Sequence, residues 1–486
     1  MRGLAGLARL AVVAVSVGLG SVPSAAALAQ TPVLDQRVGA AARKAITLTV
    51  YQQDLAQISE RRRVRLAAGR NRVVLEEISR AMQPETLMIR APGVRVVTQQ
   101  PALEALTPRR LLEAARGGRV RLVRTHPQTG VEQSEDAVLL SVTDGVVLRL
   151  GTRIEIDPPG RIVLDDLPPG LATHPAVIAE LDSAAAGEVD LTLRYLSGGL
   201  SWRADYVAEL TPDGTHMTWR GTVTLTNASE VGFAGAAVRL VAGEVRRVSS
   251  APTPEQPVRA MALAERATMA VTPPRALGDR YVYALAGTVD LPARTSRQVT
   301  LMPAASVPVH REYRFESLID AGPGGPEELG PVSAEIVLVA ENTAEAGLGR
   351  PLPAGIVRVY EPGGGYEPEG VAAAPIFTGE DRIDHTPAGA PLRLRLGRAF
   401  DVIASARRSV FERLSARSYE TGQEITVRNA GDRAVTVRLI GHLPPGWRML
   451  EESAAHEAET ANRLAWSLHV PPSGTATLRY RVRITR

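Results

Sequence analysis

YLSGGLSWRADYVAEL, residues 195–210, decides how the chain is to be read. Its apolar residues alternate with polar ones on both sides of a glycine pair. Successive side chains of a strand point to opposite faces, so this is the pattern of two strands. Gly198-Gly199 permits a tight bend or bulge between them. Trp202, Ala204, Tyr206 and Ala208 then share one face, which predicts that Trp202 and Tyr206 pack in a core or between sheets. Arg203 and Asp205 fall on the other face, two apart, where they can pair weakly at the surface. A nucleophile elbow would read G-x-S-x-G. Here Arg203 stands where the second glycine belongs, so Ser201 is no nucleophile.

The same alternation runs through the chain. At residues 478–484, Leu478, Tyr480, Val482 and Ile484 alternate with Arg479, Arg481 and Arg483. Residues 46–79, ITLTVYQQDLAQISERRRVRLAAGRNRVVLEEIS, read as strand, strand, a turn at Gly69-Arg70-Asn71, and strand. Arg61-Arg62-Arg63 reads there as the solvated part of a strand. Three segments end a strand on asparagine: VTLTNAS (223–229), IVLVAENTA (336–344) and ITVRNAG (425–431). Asparagine accepts left-handed backbone angles and forms local Asx turns, which suits Asn227, Asn342 and Asn429 to strand ends. The spacing between them is unequal, so they point to successive sandwich modules rather than a solenoid.

Two stretches differ. TPRRLLEAARGG (107–118) predicts a short helix, with Thr107 as cap, Pro108 in the first turn and Gly117 closing it. The five short strands behind it suggest a small SH3-like barrel. Residues 246–280 lack a period of two and read as a flexible loop or linker, with MALAERATMA (261–270) as a transient helix. The predicted fold class is mainly β, with several Ig-like β-sandwich modules, the small barrel and one short helix in the N-terminal half. The expected division is a signal peptide (1–29), an N-terminal β domain (30–105), helix plus barrel (106–170), and β-sandwiches over 171–310, 311–410 and 411–486.

Composition limits the chemistry. Arg2 and Arg9, the apolar run 10–19 and Ala27-Leu28-Ala29 read as a secretory signal peptide cut before Gln30. The expected location is therefore the periplasm, with secretion or outer-membrane association as variants of export. No later stretch has the ~18 uninterrupted apolar residues of a membrane-spanning helix. The chain has no cysteine, which excludes thiolate catalysis, disulfides and Cys-based metal sites. The net charge of +4 includes Arg2 and Arg9, and Lys44 is the only lysine. Acidic residues interleave with the arginines, so a nucleic-acid partner is not expected.

One constellation stands apart. GEDRIDHTPAG (379–389) brings Glu380, Asp381, Asp384 and His385 within six residues. A hard metal ion can use such oxygens and histidine can act as a base. The plainer reading is a strand and turn in which Asp384 or Thr386 caps the backbone, since no ligand spacing of a known kind is present. Candidate binding residues are Asp381, Arg382, Asp384, His385, Trp202 and Arg203, with no catalytic residue, metal ligand or cofactor expected. EPGGGYEPEG (361–370) reads as a hairpin tip, and Arg398 and Asp401 of GRAFDV as structural.

The segments YLSGGLSWRADYVAEL (195–210), VTLTNASEVGFAGAAVRLVAGEVRRV (223–248), GLGRPLPAGIVRVYEPGGG (347–365), GEDRIDHTPAGAPLRLRLGRAFDV (379–402) and VRNAGDRAVTVRLIGHLPPGW (427–447) carry a resemblance. Over residues 191–486 the chain resembles the bacterial exported family called domain of unknown function 4139. Some relatives are named mucoidy inhibitor, which points to the cell envelope and to no mechanism. Those relatives tend to carry a long coiled coil in the N-terminal half, where this chain has one short helix. The resemblance implies no catalytic residues. The expectation is an exported, non-catalytic binding or scaffolding protein whose partner is an envelope protein or polysaccharide. The alternatives are a metal-dependent or hydrolytic enzyme using Asp381, Asp384 and His385, and a structural component that adds strands at open sheet edges.

Overall fold

A computed structural model describes residues 34–103, 106–168, 171, 174–247, 266–323, 325–363 and 374–485. The expected signal peptide, residues 248–265 and most of the expected hairpin tip lie outside them. The described chain is mainly β, with one α-helix and no helix long and apolar enough to cross a membrane.

The glycine pair is a corner between two sheets. Gly187–Ser197 belongs to an eight-stranded sheet and Leu200–Leu210 to a fourteen-stranded one. Gly199 has φ +83°, and a Cβ there would lie 3.0 Å from that of Ser229. Its N–H donates to Asp54 Oδ1 at 2.7 Å, which pins the corner. Leu193 and Tyr195 before the bend and Trp202, Ala204 and Tyr206 after it are all buried in one core. The alternation shifts by one residue at the glycine pair, and with that shift both sheets turn their apolar faces to the same interior.

That core does not follow the order of the chain. Arg43–Tyr51 pairs in parallel with Phe233–Ala242 and antiparallel with Ala56–Leu66, which pairs with Gly187–Ser197. A four-stranded sheet of Leu34–Val38, Gly69–Glu76, Ala176–Ser183 and Val94–Ala102 adds to the same core. A second core lies around Trp466 and Tyr480 in the C-terminal part. Two long strands, Thr295–Asp320 and Pro391–Arg413, run through both. Val299 and Leu394 serve the first core, Phe315 and Val402 the second. At the C-terminus Leu478, Tyr480, Val482 and Ile484 are buried, while Arg479 pairs with Glu424 and Arg483 with Glu420.

The helix forms as expected, over Pro108–Ala114, with the Thr107 side chain accepting from Arg110 N–H at 3.3 Å. Behind it five strands form one antiparallel sheet whose small core includes Val120, Leu122, Leu139 and Leu148. The turn expected at Gly69–Asn71 comes two residues earlier, and the next strand begins at Gly69. Asn71 closes that turn by exchanging hydrogen bonds with the Ala67 backbone.

Three expectations need correction. Arg62 is not solvated: its side chain is fully buried. Ala56, Ile58, Val64 and Leu66 face the core, and the same period of two carries Glu60 and Arg62 inward. Arg61 and Arg63 point outward to Asp190. Within residues 246–280 the described part contains the strands Arg266–Ala270 and Arg275–Leu277, so the transient helix does not extend over its last five residues. The strand-end asparagines do not need left-handed angles either, as none has positive φ.

Their side chains are what the positions require. Asn227 Nδ2 donates to Val231 O and Pro292 O, Asn342 Nδ2 to Arg350 O and Pro387 O, and Asn429 Nδ2 to Arg433 O and Pro471 O. Each buried amide ties its own loop to a proline carbonyl of a second loop. A buried carbonyl left unpaired is costly, and one planar amide satisfies two of them. Asn227 and Asn429 also close the expected Asx turns, accepting from Ser229 N–H and Gly431 N–H.

Candidate functional site

Two loops and two strand ends meet beside the sheet corner and enclose a cleft of about 330 Å³. Ala242, Gly243 and Glu244 come from the end of one strand, Asp279, Tyr281 and Tyr283 from the hairpin beside it. Pro351 and Leu352 form one loop, and His385, Thr386 and Pro387 the other. Leu352 and Thr386 exchange backbone hydrogen bonds at 2.8 and 2.9 Å, which locks the loops together. Asn342 holds the same two loops, through the carbonyls of Arg350 and Pro387.

Aromatic side chains brace the wall. Tyr283 donates its hydroxyl to Pro351 O at 3.0 Å, and burial pushes its pKa up, so it remains a neutral donor. Trp202 lies behind it, ring centroids 6.4 Å apart, and donates Nε1–H to Val241 O. Tyr206 donates to Pro353 O at 2.8 Å. The stretch at the corner thus supplies the layer behind the cleft rather than its surface.

His385 Nδ1 accepts from Ala354 N–H at 3.2 Å. An imidazole that accepts at Nδ1 is neutral and carries its proton on Nε2. Partial burial holds its pKa below the ordinary value, with Asp384 pulling the other way. The folded pKa therefore lies below that of the unfolded chain. This contact stabilises above the ordinary imidazole pKa of about 6.5, and the contribution is lost as pH falls through the lowered value. The melting-temperature advantage of wild type over His385→Ala should accordingly shrink between pH 7.5 and pH 5. An advantage independent of pH would contradict this assignment.

The remaining acidic residues of that loop do other work. Asp381 accepts from Arg382 N–H through Oδ1 and from Arg395 N–H through Oδ2, both at 2.8 Å. It clasps the edge strand Ile376–Ile383 to Pro391–Arg413. Gly379 allows the close approach, since a Cβ there would lie 2.6 Å from Leu396 O. The Asp384 carbonyl accepts from the Thr386 hydroxyl. Arg382 is exposed, and Arg203 pairs with Asp205 at 3.0 Å on the outer face, where Arg358 joins them. Of the sequence candidates, then, the structure brings His385 to the cleft and Trp202 behind it. Asp381, Arg382 and Arg203 lie elsewhere, and Asp384 acts through its backbone. Among the described residues no three His, Asp or Glu side chains stand where they could hold a metal ion.

The sequence reading missed Tyr281, Tyr283, Glu244 and Asp279. The signal was there in RYVYA, two tyrosines two apart at the end of what read as a loop.

A family model matches residues 191–485. The chain belongs to the family described as Domain of unknown function (DUF4139). No curated protein matches the chain. Within the DUF4139 region, three of the five segments that carry the resemblance converge on the cleft. Residues 223–248 supply Ala242, Gly243 and Glu244, residues 347–365 supply Pro351 and Leu352, and residues 379–402 supply His385, Thr386 and Pro387.

Proposed function

We propose that the chain is an exported, non-catalytic binding or scaffolding protein of the bacterial cell envelope, and that it engages an envelope protein or polysaccharide through this cleft. The observation that carries the reading is the convergence of three separated DUF4139 segments on one cavity lined by tyrosine, histidine and proline. Ligand sites are mostly apolar concavities with a few convergent polar groups, and this one fits that description.

Binding is favoured over catalysis because the lining offers no paired nucleophile and base. His385 Nδ1 is occupied by a backbone N–H, and the Thr386 hydroxyl, the only one in the lining besides the two tyrosines, donates to a carbonyl. Nucleophilic catalysis needs the two within hydrogen-bond reach of each other.

Export rests on the charged, apolar and small-residue pattern of residues 1–29. Expressed in a Gram-negative host with a C-terminal tag, the protein should be recovered from the periplasm with Gln30 at its N-terminus. Recovery from the cytosol beginning at Met1 would remove the envelope from the proposal.

A further inference from the structure

The cleft has a charge and a shape that select among ligands. Glu244 and Asp279 line it, neither forms an ion pair among the described residues, and no arginine or lysine belongs to the lining. His385 is neutral in its observed hydrogen bond. Arg280 and Arg350 stand close by, the first with its Nε–H directed to the Glu244 carbonyl and the second acting on Tyr283, and neither guanidinium is part of the wall. Tyr281 and Tyr283 are two apart on the strand Arg280–Ala284, so both side chains project from one face. The Tyr283 hydroxyl is taken by Pro351 O, and the Tyr281 hydroxyl has no hydrogen-bond partner among the described residues.

We propose that this cleft receives an arginine side chain of an extended partner segment. The proposal rests on the reading of the cleft as the binding site. Two carboxylates without cationic partners repel an anionic ligand and favour a cation. Aromatic faces add to this, because a guanidinium within about 6 Å of a ring centroid is attracted to its electron-rich face. A planar guanidinium also presents five N–H donors, enough to reach both carboxylates and the Tyr281 hydroxyl. A hard metal ion is a poorer fit, since calcium takes about six to eight oxygen ligands and the lining offers two carboxylates. The volume of about 330 Å³ suits one long side chain and the backbone that carries it.

The test uses the full mature chain and two probes, acetyl-arginine methylamide and its neutral isostere acetyl-citrulline methylamide, titrated by calorimetry. The arginine probe should bind at least about tenfold more tightly. The double variant Glu244→Gln, Asp279→Asn should erase that preference while leaving the melting temperature unchanged. Tyr281→Ala should weaken both probes. Equal binding of the two probes, or a preference that survives the double variant, overturns the arginine assignment. If Tyr281→Ala still weakens both in that case, the cleft stands as a binding site for a neutral ligand. Failure of both probes to bind overturns the assignment and counts against the cleft itself.

Discussion

Arg62→Met is expected to destabilise the protein by about 3–5 kcal/mol, the usual cost of removing one partner of a buried ion pair. Arg62 donates to Glu60, to Val38 O at 2.9 Å and to Glu76 O at 2.6 Å. Glu60 is itself buried and otherwise has Arg43 at 2.7 Å. Methionine fills much the same space but leaves a buried carboxylate with one cation, and takes a donor from each of two carbonyls. The first strand, Leu34–Val38, loses the side chain that ties it to Ala56–Leu66. Hydrogen exchange should therefore quicken first in residues 34–51, and the urea midpoint should fall. Changing Glu60, Arg62 and Arg43 together to apolar residues of similar volume should recover most of the loss, because no charge is then left buried. A midpoint unmoved by Arg62→Met would mean that the guanidinium is solvated after all.

The second large effect is expected at the corner. Trp202→Ala should cost about 3–5 kcal/mol, the range for removing a buried large aromatic. Trp202 is only 2% exposed, fills the space between the sheets and satisfies Val241 O. Its loss would also leave Tyr283 without the ring behind it, so binding at the cleft should weaken beyond what stability alone explains. Trp202→Phe keeps a ring there and forfeits the indole N–H, so it should cost less. Equal urea midpoints for Trp202→Ala and wild type would show that the corner is not a packed junction.

Both effects bear on what the sequence made legible. Period-two alternation located the strands, the inward Trp202 and Tyr206, and the outward Arg203 and Asp205, because strand geometry reports facing directly. The same rule placed Arg62 inside, between Ile58 and Val64, but three adjacent arginines read as a solvated run. A run of like charges suggests exposure, but in a strand the facing is set by the period of two, not by composition. The asparagines were legible as strand ends. Their link to proline carbonyls was not, since Pro292, Pro387 and Pro471 lie 65, 45 and 42 residues away in sequence.

The cleft was the least legible part for a related reason. His385 drew notice through neighbouring carboxylates that in the fold build no site with it: Asp381 clasps a strand edge, and Asp384 acts on it only through its charge. The partners that matter, Tyr281 and Tyr283, arrive from about a hundred residues earlier in the chain. Only the pairing of Arg280–Ala284 with Phe233–Ala242, and the meeting of the loops at Leu352 and Thr386, brings them together.

Site-specific photo-cross-linking in living cells tests the central claim most directly. A benzophenone side chain placed at Tyr281 should give a discrete adduct in the periplasmic or envelope fraction, and the same group at Arg203, on the outer face, should not. Adducts of equal yield at both positions, or at Arg203 alone, would contradict the cleft as the place where this protein binds.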